Sequence, residues 1–185
     1  MPRRYRRRRY AIARPLKTAK YSNETYAGNV ALQTGTPDVN GSIVIVPKTE
    51  ILATRKVKNL TLRINVAGMD YIPPGSTSRG YGLTPCSIMF AVVYVPQGTS
   101  PATLDRGAVP ETGATPAVSL YEPNQNVIMS GIVDLQSVTT VKTRLARNLN
   151  SGDQIYVQFS LTYNSEDVEA IRATLLAIAN YAISY

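Results

Sequence analysis

An all-β domain, an antiparallel sandwich or barrel, is what this sequence predicts, on three observations. Several short apolar runs keep a period of two, proline and glycine punctuate the chain between them, and no segment sustains a helical apolar face. At 185 residues one domain is expected, long enough to bury most of the surface an unfolded chain exposes.

Taken in order, residues 21–41 are polar and hold the turn formers Gly35-Thr36-Pro37-Asp38 and Asn40-Gly41, so a transitional stretch is expected there. Ser42–Val46 is short and β-branched, and Pro47 stops it. Leu60, Leu62, Ile64 and Val66 alternate with Thr61, Arg63 and Asn65, which predicts a strand buried on one face. Ile88–Val95 is nearly all apolar and fits a strand covered on both faces or one lining a tight interface.

The stretch 96–117, with four prolines and three glycines, reads as a long exposed loop. Val118–Tyr121 and Asn126–Val133 are two further strands, divided by Glu122-Pro123-Asn124. Val141, Thr143 and Leu145 alternate with Lys142 and Arg144. A second alternation sets Ile155, Val157, Phe159, Leu161 and Tyr163 against Gln154, Tyr156, Gln158, Ser160 and Thr162. With the turn signal Gly152-Asp153 between them, 137–163 reads as an antiparallel pair. At the C-terminal end a last strand is expected over 177–185, while 169–179 is rich in good helix formers and stays open between the two states. Carrying Glu169 and Arg172, this run is a poor membrane span.

The composition excludes several chemistries. With no His and a single Cys86, one chain can assemble neither a Ser-His-Asp or Cys-His nucleophile system nor a Cys/His zinc site. No phosphate-cradling loop is present, since Gly80-Tyr81-Gly82 lacks a third glycine and a following helix. Glu166, Asp167 and Glu169 are expected to be a solvated turn, and Cys86 a small buried hydrophobe. Three Asn-x-Ser/Thr triplets, at Asn23, Asn40 and Asn59, have no expected use as glycan acceptors, because no secretory signal precedes them. The expectation is a protein that is not an enzyme and that takes no cofactor and no metal.

Charge is distributed in one place. The formal net charge is +8, but residues 1–20 alone carry +9 and residues 21–185 carry −1. Arg3, Arg4, Arg6, Arg7, Arg8, Arg9, Arg14, Lys17 and Lys20 supply the positive end, and no acid interrupts them. Like charges at this density repel, and there is little apolar surface to bury, so the arm is expected to be disordered in isolation. Guanidinium groups grip phosphate oxygens bidentately and stay charged at any working pH. Tyr5 and Tyr10 offer stacking surfaces for unpaired bases, each worth about 1–3 kcal/mol when used. Nucleic acid is therefore the expected partner, with nuclear import as a second use of the same residues. Two divisions follow, an arm over 1–20 and a β body over 21–185. A weaker basic group, Arg55, Lys56 and Lys58 with Arg63, Lys142, Arg144 and Arg147, would extend the contact if it shares the surface from which the arm emerges.

Three segments together resemble capsid proteins of circular, Rep-encoding, circovirus-like single-stranded DNA viruses. They are the opening Met1-Pro2 with Arg3 to Arg9 and its aromatic spacers, the tract Thr54–Leu62, and the tract Ser119–Gly131 with Asn148–Ile155 behind it. The resemblance implies a single eight-stranded jelly roll, an antiparallel β-sandwich, with a disordered Arg-rich N-terminal arm. It also implies a shell of sixty copies of the chain. Its arms would hold a single-stranded DNA genome, its address would be the virion and the host nucleus, and its partners would be copies of itself and host import machinery, with no membrane insertion. Two other readings share the basic arm: the capsid of a small RNA virus or satellite, and a cellular nucleic-acid-binding β-barrel with a basic tail.

Overall fold

The structure, a computed structural model, describes residues 20–34, 38–50, 52–81, 86–101, 126–144, 146–163 and 168–184. Among them are ten strands and no helix. They are β1 (Ser22–Thr34), β2 (Asp38–Val46), β3 (Arg55–Ile72), β4 (Gly80–Tyr81), β5 (Cys86–Val95), β6 (Asn126–Ile132), β7 (Thr139–Lys142), β8 (Arg147–Leu149), β9 (Gln154–Tyr163) and β10 (Ala170–Ser184).

Every pairing is antiparallel, and the strands form two sheets. One runs β1-β10-β3, with β4, β7 and β8 all pairing along β3, and the other runs β2-β9-β5-β6. β4 is a two-residue return of β3, and β7 with β8 forms one interrupted strand on the far side of β3. Counted that way there are eight strands, ordered 1-8-3-6 in one sheet and 2-7-4-5 in the other. This is the double Greek key of a jelly roll, and the expected fold class is what the strand order shows.

Period-two alternation fills the space between the sheets. From β3 come Val57, Leu60, Leu62 and Ile64, and from β10 come Ile171, Ala173, Leu175, Ala177, Ala179, Tyr181 and Ile183. The four-stranded sheet contributes Ile43, Ile45, Ile88, Phe90, Val92, Ile155, Val157, Phe159 and Leu161. Each large side chain here contributes about 1.5–3 kcal/mol by leaving water. Across the middle of that sheet the register sets Gly41, Phe159, Phe90 and Gly131 in one row. The glycines leave room for their neighbours. A Cβ on Gly131 would lie 2.9 Å from Phe90 Cε1, and one on Gly41 would lie 2.5 Å from Leu32 Cδ2, where β1 crosses β2 at the corner of the sandwich.

Three expectations are corrected. Residues 22–34 are a full strand rather than a transitional stretch, and Asn40-Gly41 lies inside β2 rather than in a turn. The inward side chains of β1 are Glu24, Tyr26, Gly28, Val30 and Leu32, so two of five are polar or absent and the apolar alternation is masked. The segment 137–163 is not one antiparallel pair: β7 and β8 join β3, and β9 crosses to the other sheet between β2 and β5. Gly152, at φ 82°, makes the turn where the chain changes sheets. The final strand begins at Ala170, seven residues before the expected start, because a central place between β1 and β3 outweighs the helix propensity of Ala and Leu. Val118–Tyr121 and the greater part of the 96–117 loop lie outside the described residues.

Replacement of Gly41 by Ala is expected to lower the unfolding free energy by about 1–3 kcal/mol through overpacking against Leu32. A Cβ on Gly68 meets nothing within 4 Å, so Gly68→Ala is expected to leave stability unchanged or raise it by up to about 1 kcal/mol. Urea titrations of the two variants check the pair.

Candidate nucleic-acid interface

The outer face of the six-stranded sheet is built from the residues that alternate with the core. Cross-strand register arranges them in rows: Asn23, Ala182 and Lys58; then Thr25, Asn180, Thr61 and Lys142; then Ala27, Ile178, Arg63 and Thr140; then Asn29, Leu176 and Asn65. Ahead of these, Lys56 sits between Ser184 and Asn148. Thr25 Oγ1 donates to Asn180 Oδ1 at 2.7 Å across the face.

Lys56 and Lys58 occupy even positions and Arg63 an odd one, so strict alternation would send them to opposite faces. The structure brings them together through a β-bulge. Between the pairs Lys58/Ala182 and Thr61/Asn180, two residues of β3, Asn59 and Leu60, oppose the single Tyr181. Asn59 takes the left-handed conformation at φ 54°, which Asn tolerates better than most residues because its short amide bonds locally. Val57 and Leu60 both point inward as a result, and Lys56, Lys58 and Arg63 all point outward. The signal was present in the sequence as a change of parity in the apolar positions, odd at Val57 and even from Leu60 onward.

Lys56, Arg63 and Lys142 are exposed and Lys58 is half-buried. Lys58 places its Nζ 3.5 Å from the centroid of the Tyr21 ring, a cation–π contact worth about 0.5–1 kcal/mol at an exposed site. That contact fixes where the chain enters the β body from its basic end, beside the same cations. No carboxylate stands on the rows from Lys56 to Asn65. The first acid on this face is Asp70, two rows further on, where it faces Arg172 and binds Arg79 at 3.0 Å.

The opposite sheet differs in kind. Its outward positions are Asn40, Ser42 and Val44 along β2 from Asn40 onward, Gln154, Tyr156, Gln158, Ser160 and Thr162 on β9, Ser87, Met89, Ala91, Val93 and Val95 on β5, and Val127, Ser130 and Ile132 on β6. None of these is charged. Nor is this face open at its centre: Met89, Ala91, Val93, Val95, Gln158 and Ser160 are buried, and Ala91, Val93 and Val95 cluster with Val127 and Tyr156.

Arg55 departs from the expected basic group. It is 3% exposed, and its guanidinium donates from Nη1 to the Pro47 carbonyl at 3.0 Å and from Nη2 to the Asp153 carbonyl at 3.2 Å. With both ends committed inside the fold, it is a structural residue. Lys56 and Lys58 lie inside β3. Arg144 is exposed beyond the end of β7, and Arg147, opposite the inward Val57, is half-buried on the core side of β8. Lys20 is exposed, while Arg3, Arg4, Tyr5, Arg6, Arg7, Arg8, Arg9, Tyr10, Arg14 and Lys17 lie outside the described residues.

The partner of Arg55 belongs to a cluster that the sequence did not single out. The buried Asp153 carboxylate accepts the Tyr94 hydroxyl at 2.7 Å, the Asn150 N–H at 2.7 Å and the Gln97 N–H at 3.0 Å. The Gly152 N–H and the Ser151 hydroxyl both reach the Thr49 carbonyl. Four chain segments are therefore pinned at one end of the sandwich. Burial, and then the bond to Asp153, push the Tyr94 phenol up to about 12.

Of the remaining candidates, Glu166 and Asp167 lie outside the described residues, and Glu169 is exposed with its N–H on the Ile72 carbonyl. Asp134, in the β6–β7 loop, is held below the usual carboxylate range by the Ser137 hydroxyl and the Gln136 N–H, and so closes a local turn. Cys86 is half-buried at the start of β5, with its sulfur 3.9 Å from that of Met69.

No family model and no curated protein matches the sequence. Among solved structures, the chain is similar to one of Desmodium yellow mottle tymovirus at 12% identity over 95% of both chains, with a TM-score of 0.33. It is also similar to one of infectious bursal disease virus, Gx strain, at 3% identity over 88% of this chain and 36% of that one, with a TM-score of 0.29. At such scores neither likeness bears on function, and the jelly roll rests on the strand order alone.

Because the folded state holds the Tyr94 proton more tightly than the unfolded chain, its stabilisation is complete below pH 10. It is then lost as pH rises toward 12. Stability curves measured from pH 8 to 12 are expected to fall over that interval, and Tyr94→Phe is expected to remove part of the fall. Tyr163, also raised by burial, accounts for a further part.

Proposed function

We propose that this chain is a viral capsid subunit, a shell-forming structural protein without catalytic activity, that packages single-stranded DNA through its Arg-rich arm. The observation that carries the reading is the charge division: +9 over residues 1–20 against −1 over residues 21–185, on a jelly roll whose central outward positions are basic or uncharged on one sheet and uncharged on the other. A nucleic-acid enzyme needs a site on its body. A packaging subunit needs a scaffold that packs against its own copies and a detachable source of positive charge.

Binding by such an arm is driven by release of counterions from phosphates and is indifferent to sequence. Many weak contacts between copies then sum to a stable particle. The resemblance of Met1–Arg9, Thr54–Leu62 and Ser119–Gly131 to circovirus-like capsid proteins favours DNA over RNA, a shell of sixty copies, and passage through the host nucleus with the arm as import signal. Arginine forks grip both nucleic acids alike, so the RNA-virus reading differs only in the cargo.

Purified full-length protein, mixed with circular single-stranded DNA and dialysed to moderate salt, is expected to give uniform particles in negative stain that protect the DNA from nuclease. Removal of residues 1–19 is expected to abolish protection while the β body keeps its circular dichroism. A full-length protein that stays monomeric at every concentration, with and without DNA, contradicts the reading. Preferential protection of RNA redirects it to the RNA-virus form.

A further inference from the structure

We infer that the outer face of the six-stranded sheet is a second binding surface for single-stranded DNA, continuing the track that the arm begins and turning this face of the sandwich toward the packaged strand. The inference rests on the packaging role proposed above and adds to it a site on the folded body.

Four observations carry it. Lys56, Lys58, Arg63 and Lys142 share one face although their sequence parity divides them, because the bulge at Asn59 rotates the register between them. Along β3 the span from Lys56 to Arg63, matched by the six steps from Ser184 to Ile178 on β10, is about 20 Å at strand rise, room for several phosphates in a row. No acid opposes these cations on the rows from Lys56 to Asn65, whereas Asp70 at the far end is already paired with Arg79. Lys58 holds Tyr21, so the chain leaves the arm and joins the body on this face.

The chemistry on the face suits an extended strand. Lysine and arginine heads meet phosphates as charge-assisted donors. Thr25, Thr61, Asn65, Thr140 and Asn180 add neutral donors between them, and Leu176 and Ile178, half-buried at the centre, form an apolar floor. Among the described outward positions of the four-stranded sheet there is no cation, and the central ones are buried, which is why the assignment goes to one face and not to both.

A lysine-acylation footprint of the full chain with and without a long oligothymidylate tests the inference on the unaltered protein. Lys56, Lys58 and Lys142 are expected to be protected together with Lys17 and Lys20, while Lys48, in the loop after β2, keeps its reactivity. Protection confined to Lys17 and Lys20 overturns the second surface and leaves the arm's role standing. No protection at Lys17 and Lys20 overturns the packaging reading itself, and the second surface with it.

A variant pair gives an independent readout in the full chain. The triple change K56Q, R63Q and K142Q is expected to flatten the dependence of log affinity on log salt by about 2, at about 0.7 for each single-strand phosphate that is no longer neutralised. N40D, S42D and S87D, the same change in net charge on the opposite face, is expected to leave the slope unaltered. Equal slopes for the two triples overturn the inference.

Discussion

The constraint on which the rest depends is the alternation of β3, interrupted once. In a sandwich, one face of each strand must fill the core, so the identity of the other face is whatever the sequence places at the intervening positions. In the central region of β3 those positions are Lys56, Lys58, Thr61, Arg63 and Asn65, and they share a face only because Asn59 and Leu60 together oppose Tyr181. One left-handed residue therefore keeps Val57 and Leu60 in the core and assembles the cations outside it. A strand without the bulge would have to expose Val57 or bury Arg63, and an unpaired buried guanidinium is among the costliest errors a core can contain.

The one arginine of the group that is buried shows what that burial requires. Arg55 is tolerated because it has two carbonyl acceptors, those of Pro47 and Asp153. The Asp153 carboxylate is in turn satisfied by three donors from β5, the segment after it and the β8–β9 turn. Hydrogen bonds that involve a charged group contribute about 1.5–3 kcal/mol each. This end of the sandwich is thus held by polar bonds where strands give way to loops, and its ordering role is separate from the basic face that begins one residue later at Lys56.

Much of the architecture was legible in the sequence. Strands with clean alternation (β3 and β9) or continuous apolar character (β5) were located from their own residues, since the apolar pattern there is set directly by burial. β1 was not, because its inward face includes Glu24 and Gly28. Glu24 accepts a hydrogen bond from the Tyr181 hydroxyl, and Gly28 leaves space for Ile43. The start of β10 was hidden by helix-forming residues that only their neighbours hold extended. Sheet membership of β7, β8 and β9 was not readable either, because a turn signal marks a change of direction and not a change of sheet. In the candidate interface, alternation alone placed Arg63, Lys142 and Arg144 on the polar faces of their strands. That Arg55 is committed to carbonyls, and that the parity break at Asn59 unites the others, depends on contacts distant in sequence.

These parts join in one chain: a jelly roll with one face basic at its centre, an opposite face without charge from Asn40 of β2 onward, and a basic N-terminal segment that meets the body at Tyr21 beside Lys58. On the packaging role proposed above, electrostatics of this kind would set which side of the sandwich meets the nucleic acid, without selecting its sequence. A reconstruction by electron cryomicroscopy of particles formed on single-stranded DNA tests this claim most directly. The expected result is the six-stranded sheet turned to the interior, with nucleic-acid density against Arg63 and Lys142. A particle with the four-stranded sheet facing the interior, and Arg63 and Lys142 on the outer surface, would contradict it.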